Sequence, residues 1–327
     1  MKRALITLSL FLLCGSVVAD TVENSPALRM NQIQVIGSHN SYHAQPTEPL
    51  FSMVKAAYPD AATWDYAHRP LNEQLDSGVR SFELDLYYDP AAIRVFHVPQ
   101  FDMNSNCETF VDCATVIRDW SKEHPEHVPL IVLLELKEDK IPQANVPVLP
   151  FDAIAMEQLE KEVLSVFDVA HLIRPDDVRG EAATLKEGIQ EAGWPKLDDV
   201  RGRVMFVLHT SGNPAKLYAD GHPTLEGRAM FLQAFADEAY AAVYVMNDPD
   251  DPEIPKQVAA GFIVRTRADS DLKEAQANDT SRRDRAMASG AQIVTTDFPK
   301  GEAEKNTGYV VGFEGDVVAR VNVVNGK

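Results

Sequence analysis

The chain has 327 residues, 45% hydrophobic and 24% charged, which is the composition of a folded globular protein and excludes a disordered chain or a fibre. Its 49 acids against 31 bases give a formal charge of −18. That excess repels nucleic-acid phosphates at long range and argues against DNA or RNA as the main partner, while a local basic pocket for one phosphate stays open.

The chain begins with Lys2 and Arg3, an apolar run over residues 4–14, and the small residues Val17, Val18 and Ala19. These three parts form the pattern of a secretory signal peptide over 1–19, with cleavage leaving Asp20 first. The apolar run is too short to span a bilayer comfortably. At Leu13-Cys14-Gly15, a leucine stands where a lipoprotein site needs a small residue. Loss of residues 1–19 removes two bases and no acids, taking the formal charge from −18 to −20. The expectation is a secreted or periplasmic protein with one domain over 20–327. Cys14 departs with the leader. Cys107 and Cys113 then remain as a pair in an oxidising compartment, which reads as a disulfide rather than as two free thiols.

Along the chain, strand-like and helix-like segments alternate. Residues 33–36 form a short apolar strand, 70–77 a helix stopped by Gly78, 79–87 a strand and 93–96 a shorter one. Phe110, Ala114 and Ile117 recur at helical spacing within 105–123. Residues 130–136 are almost continuously apolar, as in a strand buried on both faces of a parallel sheet. A helix follows over 152–167, with Asp152 as its N-cap. Residues 203–208, 241–246, 262–265 and 292–295 read as further strands, separated by helices near 225–240, 254–260 and 282–289. Linkers are expected at 138–151, 210–224 and 248–255. Seven or eight buried strands alternating with helices predict a distorted TIM-type (β/α) barrel rather than an open doubly wound sheet. No glycine-rich fingerprint follows the first strand, so a dinucleotide site is not expected.

In a barrel the chemistry sits at the C-terminal strand ends, and polar residues interrupt the apolar strands there. His39 and Asn40 close the first strand, and His97 closes the short one. Glu83 and Asp85 lie two apart and share a face, as do Glu135 and Lys137. A carboxylate among Ile131, Leu133 and Leu136 is costly to bury unless paired or bound to a metal. Asn40, Glu83, Asp85 and Glu135 together offer four oxygen ligands, a set suited to Ca2+, with Mg2+ as the other hard cation. The two histidines supply an acid and a base near neutral pH. Arg265 and Arg267 end another strand on one face. They are candidates for the substrate phosphate, Arg265 first, or for pairing with Asp269, Asp271 or Asp297. Tyr42, Trp64, Tyr66 and Tyr218 are candidates for an apolar rim, or simply for core or surface.

The stretches Gly37-Ser38-His39-Asn40-Ser41-Tyr42, Leu71-Asn72-Glu73-Gln74-Leu75-Asp76-Ser77-Gly78-Val79-Arg80-Ser81-Phe82-Glu83-Leu84-Asp85 and Phe96-His97 resemble the catalytic domain of phosphoinositide-specific phospholipase C. They are most similar to its bacterial, calcium-dependent branch, as is Trp64-Asp65-Tyr66-Ala67-His68-Arg69-Pro70-Leu71. The segment Ser289-Gly290-Ala291-Gln292-Ile293-Val294-Thr295-Thr296-Asp297-Phe298-Pro299 resembles the last barrel unit of that branch and of glycerophosphodiester phosphodiesterases. The resemblance runs from about 31 to 300 and is dense over 33–137. It implies a PLC-like phosphodiesterase barrel. It also implies His39 and His97 as catalytic residues, Asn40, Glu83, Asp85 and Glu135 as calcium ligands, and Lys137 as a cation near the phosphate.

The function expected is cleavage of a phosphodiester, with phosphatidylinositol first. The alternatives are a metal-dependent hydrolase of soluble glycerophosphodiesters and a non-enzymatic binding protein on a decayed barrel. No basic cluster for ring phosphates is found, so an unphosphorylated inositol head group is favoured. The partner expected is a phospholipid or glycerophosphodiester substrate, with transient membrane contact at most. The charge opposes tight adsorption to anionic bilayers, and neither nucleic acid nor a protein partner is implied.

Overall fold

The computed structural model describes Val22 and residues 28–138, 147–315 and 317–326. The expected leader over 1–19 lies outside the described residues, as does 139–146 of the expected 138–151 linker.

The fold is a closed barrel. Its eight parallel strands are β1 (Ile33–Ser38), β2 (Ser81–Tyr87), β4 (Leu130–Leu136), β5 (Val204–His209), β6 (Phe231–Ala234), β7 (Val243–Val245), β8 (Ile263–Arg267) and β9 (Ile293–Thr296). Two short strands are added antiparallel, β3 (Arg94–Val95) on β2 and β10 (Ala319–Val321) on β1. Closure between β1 and β2 passes through one register pair, Gly37 with Ser81. A Cβ at Gly37 would lie 2.9 Å from Thr295 Cγ2 and 3.0 Å from Ser81 Cβ. Glycine therefore lets three strands converge under the site.

The helices are α1 (Leu50–Ala57), α2 (Leu71–Asp76), α3 (Phe110–Glu123), α4 (Ala153–Val166), α5 (Pro175–Arg179), α6 (Leu185–Glu191), α7 (Gly212–Ala219), α8 (Glu253–Ala259), α9 (Lys273–Ala277) and α10 (Ser281–Ala288). None among the described residues is long and apolar enough to cross a membrane. Their ends follow local chemistry. Asp152 accepts from the N–H groups of Ile154 and Ala155 at the start of α4. Thr109 and Asp112 form a reciprocal capping box on α3. Gly78, at φ 101°, takes the left-handed turn after α2 that other residues adopt only with strain. The β4 strand runs as expected from its apolar stretch, buried at every position but Glu135. Each buried Leu, Ile or Val there contributes roughly 1.5–3 kcal/mol.

Three expectations are corrected. Residues 225–240 hold no helix; β6 lies there, because Met230, Phe231 and Leu232 form a short run buried on both faces. Periodicity does not separate such a run from a buried helix. The 210–224 linker contains α7, with Pro214 in its first turn, where proline costs no hydrogen bond. Tyr42, Trp64, Tyr66 and Tyr218 form no rim, since all four are buried.

Candidate active site

Parallel register aligns polar residues of three adjacent strands. Asp85 pairs with Glu135, and Glu135 with His209, across β2, β4 and β5. Donor atoms of Glu83, Glu135 and His209 lie within 4.8 Å of one another. His209 Nδ1 is 3.4 Å from Glu83 Oε1 and 3.8 Å from Glu135 Oε2. His209 escaped the sequence reading. Its signal was the one used for the other strands: it is the polar residue that follows the apolar run of β5.

Two side-chain cations enter this acidic cluster. Arg265, buried in the middle of β8, donates from Nη2 to Glu83 Oε2 and from Nη1 to Asn247 Oδ1. Lys137 Nζ lies 3.0 Å from Glu135 Oε1 and 3.3 Å from Asp85 Oδ2. Burial alone would raise the Glu83 carboxyl, but the Arg265 guanidinium holds it well below the usual range. Asp85 is pushed up to about 6 by burial, with Lys137 only partly offsetting this. Lys137 is held charged by Asp85 and Glu135 despite its own burial. Arg265 thus pairs with none of Asp269, Asp271 and Asp297. Its partner is Glu83, 182 residues away.

The set fits a hard cation. Buried Asp85 Oδ1 has no hydrogen-bond partner and Oδ2 has only the Lys137 ammonium at 3.3 Å, so a metal would supply the missing partner. Asn40, in the left-handed region at φ 46°, donates from Nδ2 to the Tyr66 hydroxyl at 3.2 Å. That leaves Oδ1 as the oxygen that could hold a cation. Carboxylate and amide oxygens without a thiol favour Ca2+.

Beside this cluster stand two histidine–carboxylate pairs. His39 Nδ1 lies 2.7 Å from Asp297 Oδ1, and Arg267 joins them, 3.3 Å from His39 Nε2 and 3.3 Å from Asp297 Oδ2. Arg267, the second candidate of the arginine pair, is therefore the one beside a histidine. Burial and the Arg267 charge hold His39 below its ordinary range, against the pull of Asp297. Asp297 would rise on burial, but His39 and Arg267 hold it at about 2. His68 anchors the loop, with Nε2 2.8 Å from the His39 carbonyl and Nδ1 2.5 Å from Glu302 Oε2. On the other side His97 Nδ1 lies 2.7 Å from Asp102 Oδ2, and the same oxygen lies 2.8 Å from His43 Nε2. His39 and His97 are each half-buried, each with Nδ1 tied to a buried carboxylate, and His39 Nε2 faces Arg267. Asp102, Asp297 and His43 are further residues of the site that local sequence did not single out as such.

Solved structures share this barrel. A calcium-dependent phosphoinositol-specific phospholipase C from Pseudomonas sp. aligns at TM-score 0.61 and 18% identity, over 91% of this chain and 96% of that one. A Ca2+-dependent phosphatidylinositol-specific phospholipase C from Streptomyces antibioticus aligns at 0.59 and 19%, over 83% and 95%. The phosphatidylinositol-specific phospholipase C from Listeria monocytogenes aligns at 0.51 and 14%, over 86% and 92%. No curated protein matches the chain. The fold is that of the phospholipase C barrels. The family model described as phosphoinositide phospholipase C, Ca2+-dependent, matches residues 28–92 and 90–323, and the chain belongs to that family. It is an enzyme, a phosphodiesterase of the phospholipase C type.

Proposed function

We propose that the enzyme cleaves phosphatidylinositol, with His39 and His97 as its proton-transfer groups and Asn40, Glu83, Asp85 and Glu135 as calcium ligands, aided by His209. The observation that carries this reading is the pair of half-buried imidazoles at one barrel mouth, each fixed through Nδ1 by a buried carboxylate. Such a carboxylate sets the tautomer and orientation of the ring it holds.

Bound calcium would lower the pKa of a nearby hydroxyl and offset charge on a phosphoryl oxygen. The inositol 2-hydroxyl oxygen forms a bond to phosphorus as the bond to the diacylglycerol oxygen breaks. One imidazole takes the hydroxyl proton, and the other gives a proton to the departing alkoxide. The products of this step are an inositol cyclic phosphate and diacylglycerol. Arg267, already against His39 Nε2, is placed to meet the developing negative charge.

A lipid substrate is supported by exposed apolar residues, one of which, Tyr58, approaches His97 through Trp64. Leu50 and Met53 of α1, together with Tyr58 and Met103, are exposed, Met53 to 67%. The Tyr58 ring lies 5.9 Å from Trp64, whose ring lies 5.4 Å from His97. Export is supported by the disulfide between Cys107 and Cys113, a bond that persists in oxidising compartments. N-terminal sequencing of exported protein should begin at Asp20.

The deciding assay offers the pure protein phosphatidylinositol vesicles and glycerophosphoinositol, with calcium or magnesium, and follows products by phosphorus NMR. Inositol cyclic phosphate from the vesicles with calcium is the expected result. Glycerol phosphate released from the soluble diester alone would assign the glycerophosphodiesterase reading instead.

A further inference from the structure

The three carboxylates of the site, Glu83, Asp85 and Glu135, share two side-chain cations, Arg265 and Lys137. Together they carry one net negative charge. A divalent cation added to this arrangement would reverse that charge. It would also compete for carboxylate oxygens already engaged, above all Glu83 Oε2. Among the described residues, Glu83 is the one carboxylate in ion-pair contact with Arg265. A buried guanidinium that loses its carboxylate is strongly destabilised unless another anion replaces it. The substrate supplies such an anion, and guanidinium matches phosphate geometry.

We infer that Arg265 and Lys137 are exchangeable counter-cations, which yield Glu83, Asp85 and Glu135 to calcium and turn to the substrate phosphate, so that metal and phosphodiester bind with positive coupling. This rests on the calcium site proposed above. Without calcium the two cations are spent on carboxylates, and the site attracts a phosphodiester weakly. Without a phosphodiester, calcium has to displace two cations that gain no new partner. Each ligand removes the obstacle to the other, and linkage requires the two effects to be equal.

Isothermal titration of the full mature chain tests this, with dimethyl phosphate as probe: a phosphodiester monoanion without a hydroxyl nucleophile. Saturating dimethyl phosphate should tighten calcium binding about 10-fold, and calcium should tighten dimethyl phosphate by the same factor. Arg265→Gln should bind calcium about 10-fold tighter than the wild type when no anion is present, and lose most of the coupling. Arg265→Lys, which keeps the charge, should retain coupling. The wild-type titrations need no variant and decide the matter if Arg265→Gln does not fold without metal. Calcium affinity in the wild type unchanged by dimethyl phosphate overturns the exchange while leaving the calcium site standing. So does an Arg265→Gln protein that binds calcium no tighter. Failure of the wild type to bind calcium at all overturns both.

Discussion

His97 Nδ1 lies 2.7 Å from Asp102 Oδ2, and the turn that joins them is closed by its own backbone: Val98 donates to the Asp102 carbonyl and Asp102 to the Val98 carbonyl, each at 2.9 Å. Burial alone would raise the Asp102 carboxyl, yet hydrogen bonds from His43 and His97 hold it below the usual range. Asp102 therefore stays an anion and keeps His97 oriented. His97→Ala and His39→Ala should each lower kcat about 10²–10⁴-fold with the fold intact by circular dichroism. Asp102→Asn should lower kcat while calcium affinity is unchanged, which separates positioning from a loss of the metal site. A histidine variant with near-normal rate would remove that residue from the mechanism.

Activity should vanish on exhaustive chelation with EGTA and return with calcium. Glu135→Gln and His209→Gln should each weaken calcium binding measured by titration, Glu135→Gln more, because it removes a charged ligand. Full turnover after chelation would eliminate the metal from the reaction.

Thiol titration of the denatured, unreduced mature chain should find no free thiol, since Cys107 and Cys113 are bonded. The sequence separation is 6 residues. The loop model for so short a closure gives about 2 kcal/mol. Cys113→Ser should lower stability in urea by about that amount, with little change in kcat, because the bond lies at the start of α3.

His68 has a raised pKa: burial lowers it, but the hydrogen bond and charge of Glu302 outweigh that effect. Both ring nitrogens face acceptors, Glu302 and the His39 carbonyl, so the imidazolium is the form that fits. A folded value above the unfolded one of about 6.5 means that this pair stabilises fully below pH 6.5. The contribution is lost as pH rises through the folded value. Melting curves of wild type and Glu302→Gln should therefore differ most below pH 6.5 and converge at higher pH. A gap that widens with pH would contradict the assignment.

Sequence by itself determined the features that depend on neighbours along the chain. The apolar run of β4 implies a strand buried on both faces. Asp152 and Gly78 mark helix ends through their own side chain or its absence. Glu83 and Asp85, two apart, must share a face. Tertiary structure decided which charges meet. His39 finds Asp297 across 258 residues, and Arg265 finds Glu83 across 182. Those pairings follow from barrel closure and strand register, which no local periodicity encodes. The same holds for His209, brought level with Glu135 only by the pairing of β4 with β5. The run through Phe231 forms the strand between β5 and β7 and not a helix, because a short buried apolar run suits either form and barrel closure selects the strand.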